Sequence, residues 1–227
     1  MGGKLRLRFN KTGRIKCISH LDLMATMRRA LLRAGIALKY SEGYNPHPYM
    51  SAALPLSVGH ESVCELMDVG LAEDLLTDGL LEIITAELPE GLEILEAYAP
   101  ERKFSEIAWI EILGALHYDN AVSSDAAERL LGRFRQESII ISKKSKRGLK
   151  DIDIAPFIRD IDFAPARDDG TGEFAEIRLS AKISAQNPTI NPENLLNALS
   201  GEYAELAPDF AGFRRMEVFD KGMKAFR

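Results

Sequence analysis

The residue types best suited to chemistry lie in three short segments: "CISHLD" at 17–22, "NPHP" at 45–48 and "KKSKRGLK" at 143–150. His20 follows Ser19, a residue that caps helices, and so takes the first helical position, where the positive end of the helix dipole favours a neutral imidazole. A neutral imidazole accepts a proton, which is what a general base must do. His47 lies between Pro46 and Pro48, which lack an N–H and restrict the backbone beside them, so the loop presents Asn45 and His47 in a fixed arrangement. His20 and His47 are therefore the candidate catalytic residues, one or the other as a general acid or base. Free N–H groups at the same helix start also form an anion site, with Arg14 or Arg28 close enough to serve a phosphate. The plainer alternative is that the His20 ring fills space beneath a sheet.

Cys17, His20, His47, His60 and Cys64 fall within 48 residues. Their spacings are C-x2-H and H-x3-C rather than paired CxxC, and no HExxH or GxGxxG pattern occurs, so no metal and no cofactor are expected. Lys143, Lys144, Lys146, Arg147 and Lys150 surround Gly148, five positive charges in eight residues. Between two strands they form an electropositive hairpin tip that either neutralises phosphates or is simply solvated. Tyr40, Tyr44 and Tyr49 are the only clustered aromatics, and aromatic faces beside Arg and Lys stack unpaired bases. No RNP1 signature is present, so a sequence-reading sheet is not expected. The expected nucleic-acid face thus comprises Lys11, Arg14, Lys16, Arg28, Tyr44, Asn45 and the basic hairpin.

Charge along the chain is uneven. Residues 1–60 hold ten Lys and Arg against two acids, residues 61–101 hold twelve acids and no Lys or Arg, and the whole chain carries -5. Binding responds to local fields more than to the sum, so a basic start is compatible with RNA. The acidic segment would face away or dock a basic partner, with Glu73, Asp74 and Asp78 as its test positions. No apolar run is long enough for a membrane span. Two cysteines among 227 residues are too few for a disulfide framework, and Cys17 and Cys64 read as buried thiols of a cytoplasmic protein.

The elements that must position these residues read as α+β. "KLRLRF" alternates as a half-buried strand, "RIKCIS" continues extended, and Ser19 with Asp22 starts a helix that ends at Gly35. Strands at 49–58 and 63–71, a helix at about 72–88 with Leu75 and Leu76 on its apolar face, and the strand "GLEILEAYA" complete a βαββαβ order. The second half repeats it: "EIAWIEILGALHY", a helix at about 125–137 capped by Ser124, "SIIIS" and "LKDIDI" about the basic loop, "FAEIRLSAKIS", a helix opened by Asn191 and Pro192, and "FRRMEVFD". Two tandem ferredoxin-like units with antiparallel sheets are expected, 1–101 and 102–227, with 143–173 as the least regular part.

"KTGRIKCISHLDLMATMRRALLRAGIALKYSEGYNPHPYMSAALPLSVGHES", followed by "CELMDVGL" and the later "KKSKRGLKDIDIAPFI", resembles a bacterial radical-SAM-linked family, a domain of unknown function. Cys17 departs from that family's pattern, where Phe is more typical, which weakens any thiol role. Members occur alone or fused to B12-binding-type radical SAM proteins, and free-standing ones are encoded beside a ribonuclease and ribosomal proteins. The resemblance implies an RNA-binding accessory protein that positions tRNA or rRNA for a radical SAM partner. This chain lacks a three-cysteine cluster motif and cannot supply radical chemistry itself. The order of elements is also similar to RAMP-type RNA-binding proteins, some of which are endoribonucleases that use a histidine, so a second reading is a metal-independent endoribonuclease with His20 or His47 as acid/base. A third reading is a protein adaptor that holds the radical SAM enzyme through the acidic segment.

Overall fold

Strand β1 (Lys4–Lys11) alternates as its sequence dictates, turning Leu5, Leu7 and Phe9 into a core shared with the helices of its unit. The computed structural model describes residues 3–73, 79–123, 125–145, 148–166 and 173–227. The chain divides into two units, 1–106 with Arg227 and 107–226.

In the first unit β1 leads to α1 (His20–Arg33), whose start is fixed by Ser19: its Oγ accepts the Asp22 N–H at 3.1 Å. Leu23, Met27, Ala30 and Leu31 form the buried stripe of α1. β2 (Met50–Ala52), β3 (Glu61–Gly70), α2 (Leu80–Ala86) and β4 (Leu92–Tyr98) follow. The strands lie in the order β4-β1-β3-β2 with every neighbouring pair antiparallel, the path of a split βαβ unit.

Three local expectations change. "RIKCIS" is not extended: Gly13–Cys17 forms a 3-10 turn entered by Gly13 at φ 64, and Cys17 is exposed while Cys64 is buried. The strand expected over 49–58 keeps only Met50–Ala52, because Pro55 has no N–H to give a ladder. The helix expected from about 72 begins at Leu80, after Gly79 at φ 74; Leu75 and Leu76 lie outside the described residues.

The second unit runs β5 (Ile107–Ser123), α3 (Ala126–Phe134), β6 (Ile140–Ser145), β7 (Gly148–Asp153), β8 (Ile158–Pro165), β9 (Glu173–Ser184), α4 (Pro192–Asn197) and β10 (Phe210–Asp220). Its sheet order is β10-β5-β9-β8, again antiparallel throughout, while β6 and β7 pair only with each other. With that hairpin set aside, both units follow one path. The segment read as irregular therefore contains β8, the second strand of the unit. Its ladder shifts register between Arg159 and Asp162, where Asp160 adopts φ 49, and that interruption hides the period-2 signal. At α4 the expected start is present: Pro192 takes the first turn, and the Asn191 N–H donates to Asn194 Oδ1 at 3.0 Å. Ser124, the expected cap of α3, lies outside the described residues.

The whole is an α+β protein built on antiparallel sheets with few helices, as the sequence predicts. Among the described residues no helix is long and apolar enough to cross a membrane.

Candidate nucleic-acid interface

The "YSEGYNPHPY" segment forms a loop whose base is locked by backbone bonds. The Lys39 N–H donates to Gly70 O at 2.9 Å, the Gly70 N–H to Tyr49 O at 2.7 Å, and the Tyr49 N–H to Lys39 O at 2.9 Å. A β-carbon on Gly70 would lie 2.9 Å from Tyr49 Cβ, so glycine is what lets the two backbones approach. Above this base the Ser41 N–H donates to His47 O at 2.8 Å and the His47 N–H to Ser41 Oγ at 2.9 Å. Gly43, at φ 122, makes the intervening turn. Tyr44 at the tip is wholly in solvent, and Asn45 and His47 are exposed beside it.

The loop returns into one wall of a pocket of about 550 Å³, lined among others by Lys4, Lys39, Pro48, Tyr49, Ser51 and Asp68. Within it the Lys39 ammonium stands 5.9 Å from the Tyr49 ring centroid, a cation–π pair on a half-exposed aromatic.

The other expected residues of this unit divide. Lys11 is buried: its ammonium donates to Lys16 O at 2.9 Å and Ile18 O at 3.3 Å, pinning the 3-10 turn to the start of α1. Burial lowers its pKa, partly offset by Glu65 and Cys17. Its ammonium is thus held by carbonyls inside the unit and is not presented to a phosphate, contrary to the sequence expectation. Lys16 stands 4.0 Å from Glu61. Arg14 is exposed in a second pocket of about 660 Å³ that also carries Glu90 and Glu93, a balance that repels a phosphate. Arg28 is exposed on α1 next to Arg29, and neither has an ion-pair partner among the described residues. His20 is half-buried in the first turn of α1. Neither its ring nor that of His47 has a hydrogen-bond partner among the described residues, so nothing there orients either imidazole as a base.

Part of the charge asymmetry of the sequence is consumed inside this unit. Arg6 pairs with Asp68 at 2.7 Å, Arg8 with Glu96 at 2.7 Å and Arg33 with Glu87 at 2.6 Å, besides Lys16 with Glu61. The acidic segment thus pairs with part of the basic one rather than facing away as a unit. Glu73 is exposed; Asp74 and Asp78 lie outside the described residues.

The basic hairpin belongs to the second unit. Lys143 and Lys150 stand opposite each other across β6 and β7. The Lys143 ammonium donates to Thr189 O at 2.6 Å, whereas Lys150 is exposed. Lys146, Arg147 and the side chain of Lys144 lie outside the described residues.

The tyrosines are not the only aromatic grouping. His117 and Phe210 stack with centroids 5.8 Å apart and planes at 26°, and the Arg159 guanidinium lies 4.2 Å from the Trp109 centroid. Sequence reasoning missed both, because the partners come from strands far apart in the chain. The signal available was the period-2 burial of β5, which buries Ile110, Ile112, Leu116 and Tyr118 and turns Trp109, Leu113 and His117 the other way.

Residues 4–192 match the profile of a family described as "Uncharacterized protein conserved in bacteria (DUF2344)". The chain belongs to this family. No curated protein matches this DUF2344 chain. Among solved structures it is similar to a chain of a Cbf5-Nop10-Gar1 complex, at 13% identity and TM-score 0.50, covering 94% of this chain and 48% of that one. A chain of the archaeal box H/ACA sRNP Nop10-Cbf5 complex aligns at 11% identity and TM-score 0.43 over 93% of this chain and 46% of that one. A third, an unknown protein from Galdieria sulphuraria, aligns at 13% identity and TM-score 0.26 over 95% and 99% of the two chains. The DUF2344 chain spans about half the length of the first two. The first likeness is one of fold.

Proposed function

We propose that this DUF2344 protein is a cytoplasmic RNA-binding protein that engages unpaired bases with the 41–47 loop and the adjoining pocket. Tyr44 is the observation that carries the reading. A large aromatic ring held wholly in water on a loop closed by two hydrogen bonds is presented rather than stowed. Lys39, Lys4 and Tyr49 beside it supply the cations and the second aromatic face that stack and neutralise a single strand. Arg28 and Arg29, which have no ion-pair partner among the described residues, add charge on α1 of the same unit.

Titration of labelled single-stranded RNA with wild type and Tyr44→Ala tests this. Loss of one stacked base weakens binding by about tenfold, with the thermal midpoint unmoved because the ring buries nothing. Equal affinities for the two proteins would overturn the loop's role.

The finer reading, drawn from the family resemblance, is that the RNA is a tRNA or rRNA presented to a radical SAM partner. Capture of a radical SAM protein by the tagged chain, abolished by ribonuclease, supports RNA-mediated presentation. Capture indifferent to ribonuclease would instead support the adaptor reading, and no capture would overturn both.

A further inference from the structure

We infer that the second unit holds its own site for an unpaired RNA base, on the sheet face opposite its core. This rests on the RNA-binding reading but on none of the residues used for it. Three neighbouring strands bring Phe210, His117 and Glu176 into one row: Phe210 is opposite His117 between β10 and β5, and His117 is opposite Glu176 between β5 and β9. Glu176 Oε2 lies 3.5 Å from His117 Nδ1, and the imidazole in turn stacks on Phe210. The carboxylate and the ring thus hold the imidazole from two sides, and Phe210 remains 64% exposed. A phenyl ring braced by a stacked imidazole and left in water is a platform with one free face.

The next row along the strands is Gly212, Ala115 and Arg178, and the one after it Arg214, Leu113 and Ser180. Gly212 and Ala115 keep the floor beside Phe210 low, and a β-carbon on Gly212 would come to 3.9 Å from Phe210 Cε1. Arg178 stands over this floor, its side chain 67% exposed and its Nε 3.6 Å from Glu176 Oε1. Arg214 is exposed two residues beyond Gly212. Arg178 shares the Glu176 carboxylate with His117. The combination of a flat ring, a small-residue floor and a flanking guanidinium group fits one chemistry: a base laid on Phe210 with a backbone phosphate at Arg178. It fits an apolar protein partner poorly, since that partner would desolvate the exposed Arg178 guanidinium.

The test is fluorescence anisotropy with a labelled oligouridine of about ten nucleotides, using the full chain, with sedimentation velocity run in parallel. Phe210→Ala is expected to weaken binding by about tenfold, Phe210→Tyr to restore it, and Arg178→Gln to weaken binding chiefly at low salt. Phe210 is exposed enough for these variants to fold, and circular dichroism checks that they do. If wild type binds and Tyr44→Ala weakens it while Phe210→Ala does not, the sheet-face site is overturned and the loop reading stands. If wild type does not bind, the RNA reading itself is overturned. If Phe210→Ala instead changes the sedimentation coefficient of a self-associating wild type, the face belongs to a second copy of the chain and the inference is overturned.

Discussion

Arg6 and Asp68 stand opposite each other across β1 and β3 and meet at two points, Nε to Oδ1 at 2.7 Å and Nη2 to Oδ2 at 3.0 Å. The same guanidinium donates to Arg102 O at 2.8 Å and lies 4.3 Å from the Phe104 ring centroid. Residues 102–106, which the sequence assigns to the start of the second unit, are thus the cover of a partly buried ion pair. Asp68→Asn preserves the shape and removes the counter-charge, leaving a fully buried cation; a loss of about 3 kcal/mol is expected. Urea unfolding checks it, and an unchanged midpoint would contradict the buried pair.

Gly91 anchors the turn that carries Arg14. The Thr12 N–H donates to Gly91 O at 2.9 Å, and Gly91 has φ 92. A β-carbon there would meet Thr12 O at 2.3 Å and Ile15 Cγ2 at 3.0 Å. Gly91→Ala should cost about 2 kcal/mol or more in thermal or urea unfolding, and Gly222→Ala, in ordinary backbone conformation, should cost less.

Tyr118 governs an alkaline effect in the second unit. Its buried hydroxyl donates to Leu206 O at 3.1 Å, and burial, with Asp209 adding to it, pushes its pKa up to about 12 from 10.0. Above pH 10 the unfolded chain releases a proton that the folded chain retains, so this group's contribution to stability falls as pH rises from 10 to 12. Tyr118→Phe should be about 1 kcal/mol less stable than wild type at pH 7. The gap should close across the alkaline window; a gap independent of pH would contradict the assignment.

The two described lysines of the hairpin should behave differently. Lys143 is tied to Thr189 O, whereas Lys150 is exposed. If the hairpin meets phosphate, Lys150→Ala should lower the slope of log affinity against log salt by about 0.7, and Lys143→Ala should change it less. Equal effects would show that the hairpin is not read in its folded form.

How far the sequence reaches can be seen residue by residue. Leu5, Leu7 and Phe9 gave β1 by alternation, and Ser19 with Asp22 gave the start of α1, because both signals are local. The antiparallel α+β class followed from the order of such elements. Lys11 looked like its neighbours Arg14 and Lys16, yet it is buried, since only the fold shows that its ammonium meets the carbonyls of Lys16 and Ile18. The basic stretch looked like a surface for anions because its partners, Asp68, Glu87 and Glu96, lie more than fifty residues further on. The ring pair of His117 and Phe210 escaped for the same reason. The Tyr44 loop was legible because Gly43, Pro46 and Pro48 mark it locally, while its lock, Ser41 to His47, was not.

We propose that this chain binds single-stranded RNA through presented aromatic rings and exposed cations. The most direct test is titration of wild type and Tyr44→Ala with labelled single-stranded RNA at two salt concentrations. Wild type should bind, with affinity that falls steeply as salt rises, and Tyr44→Ala should bind about tenfold more weakly at either salt. No binding at low salt, or binding indifferent both to salt and to Tyr44, would contradict it.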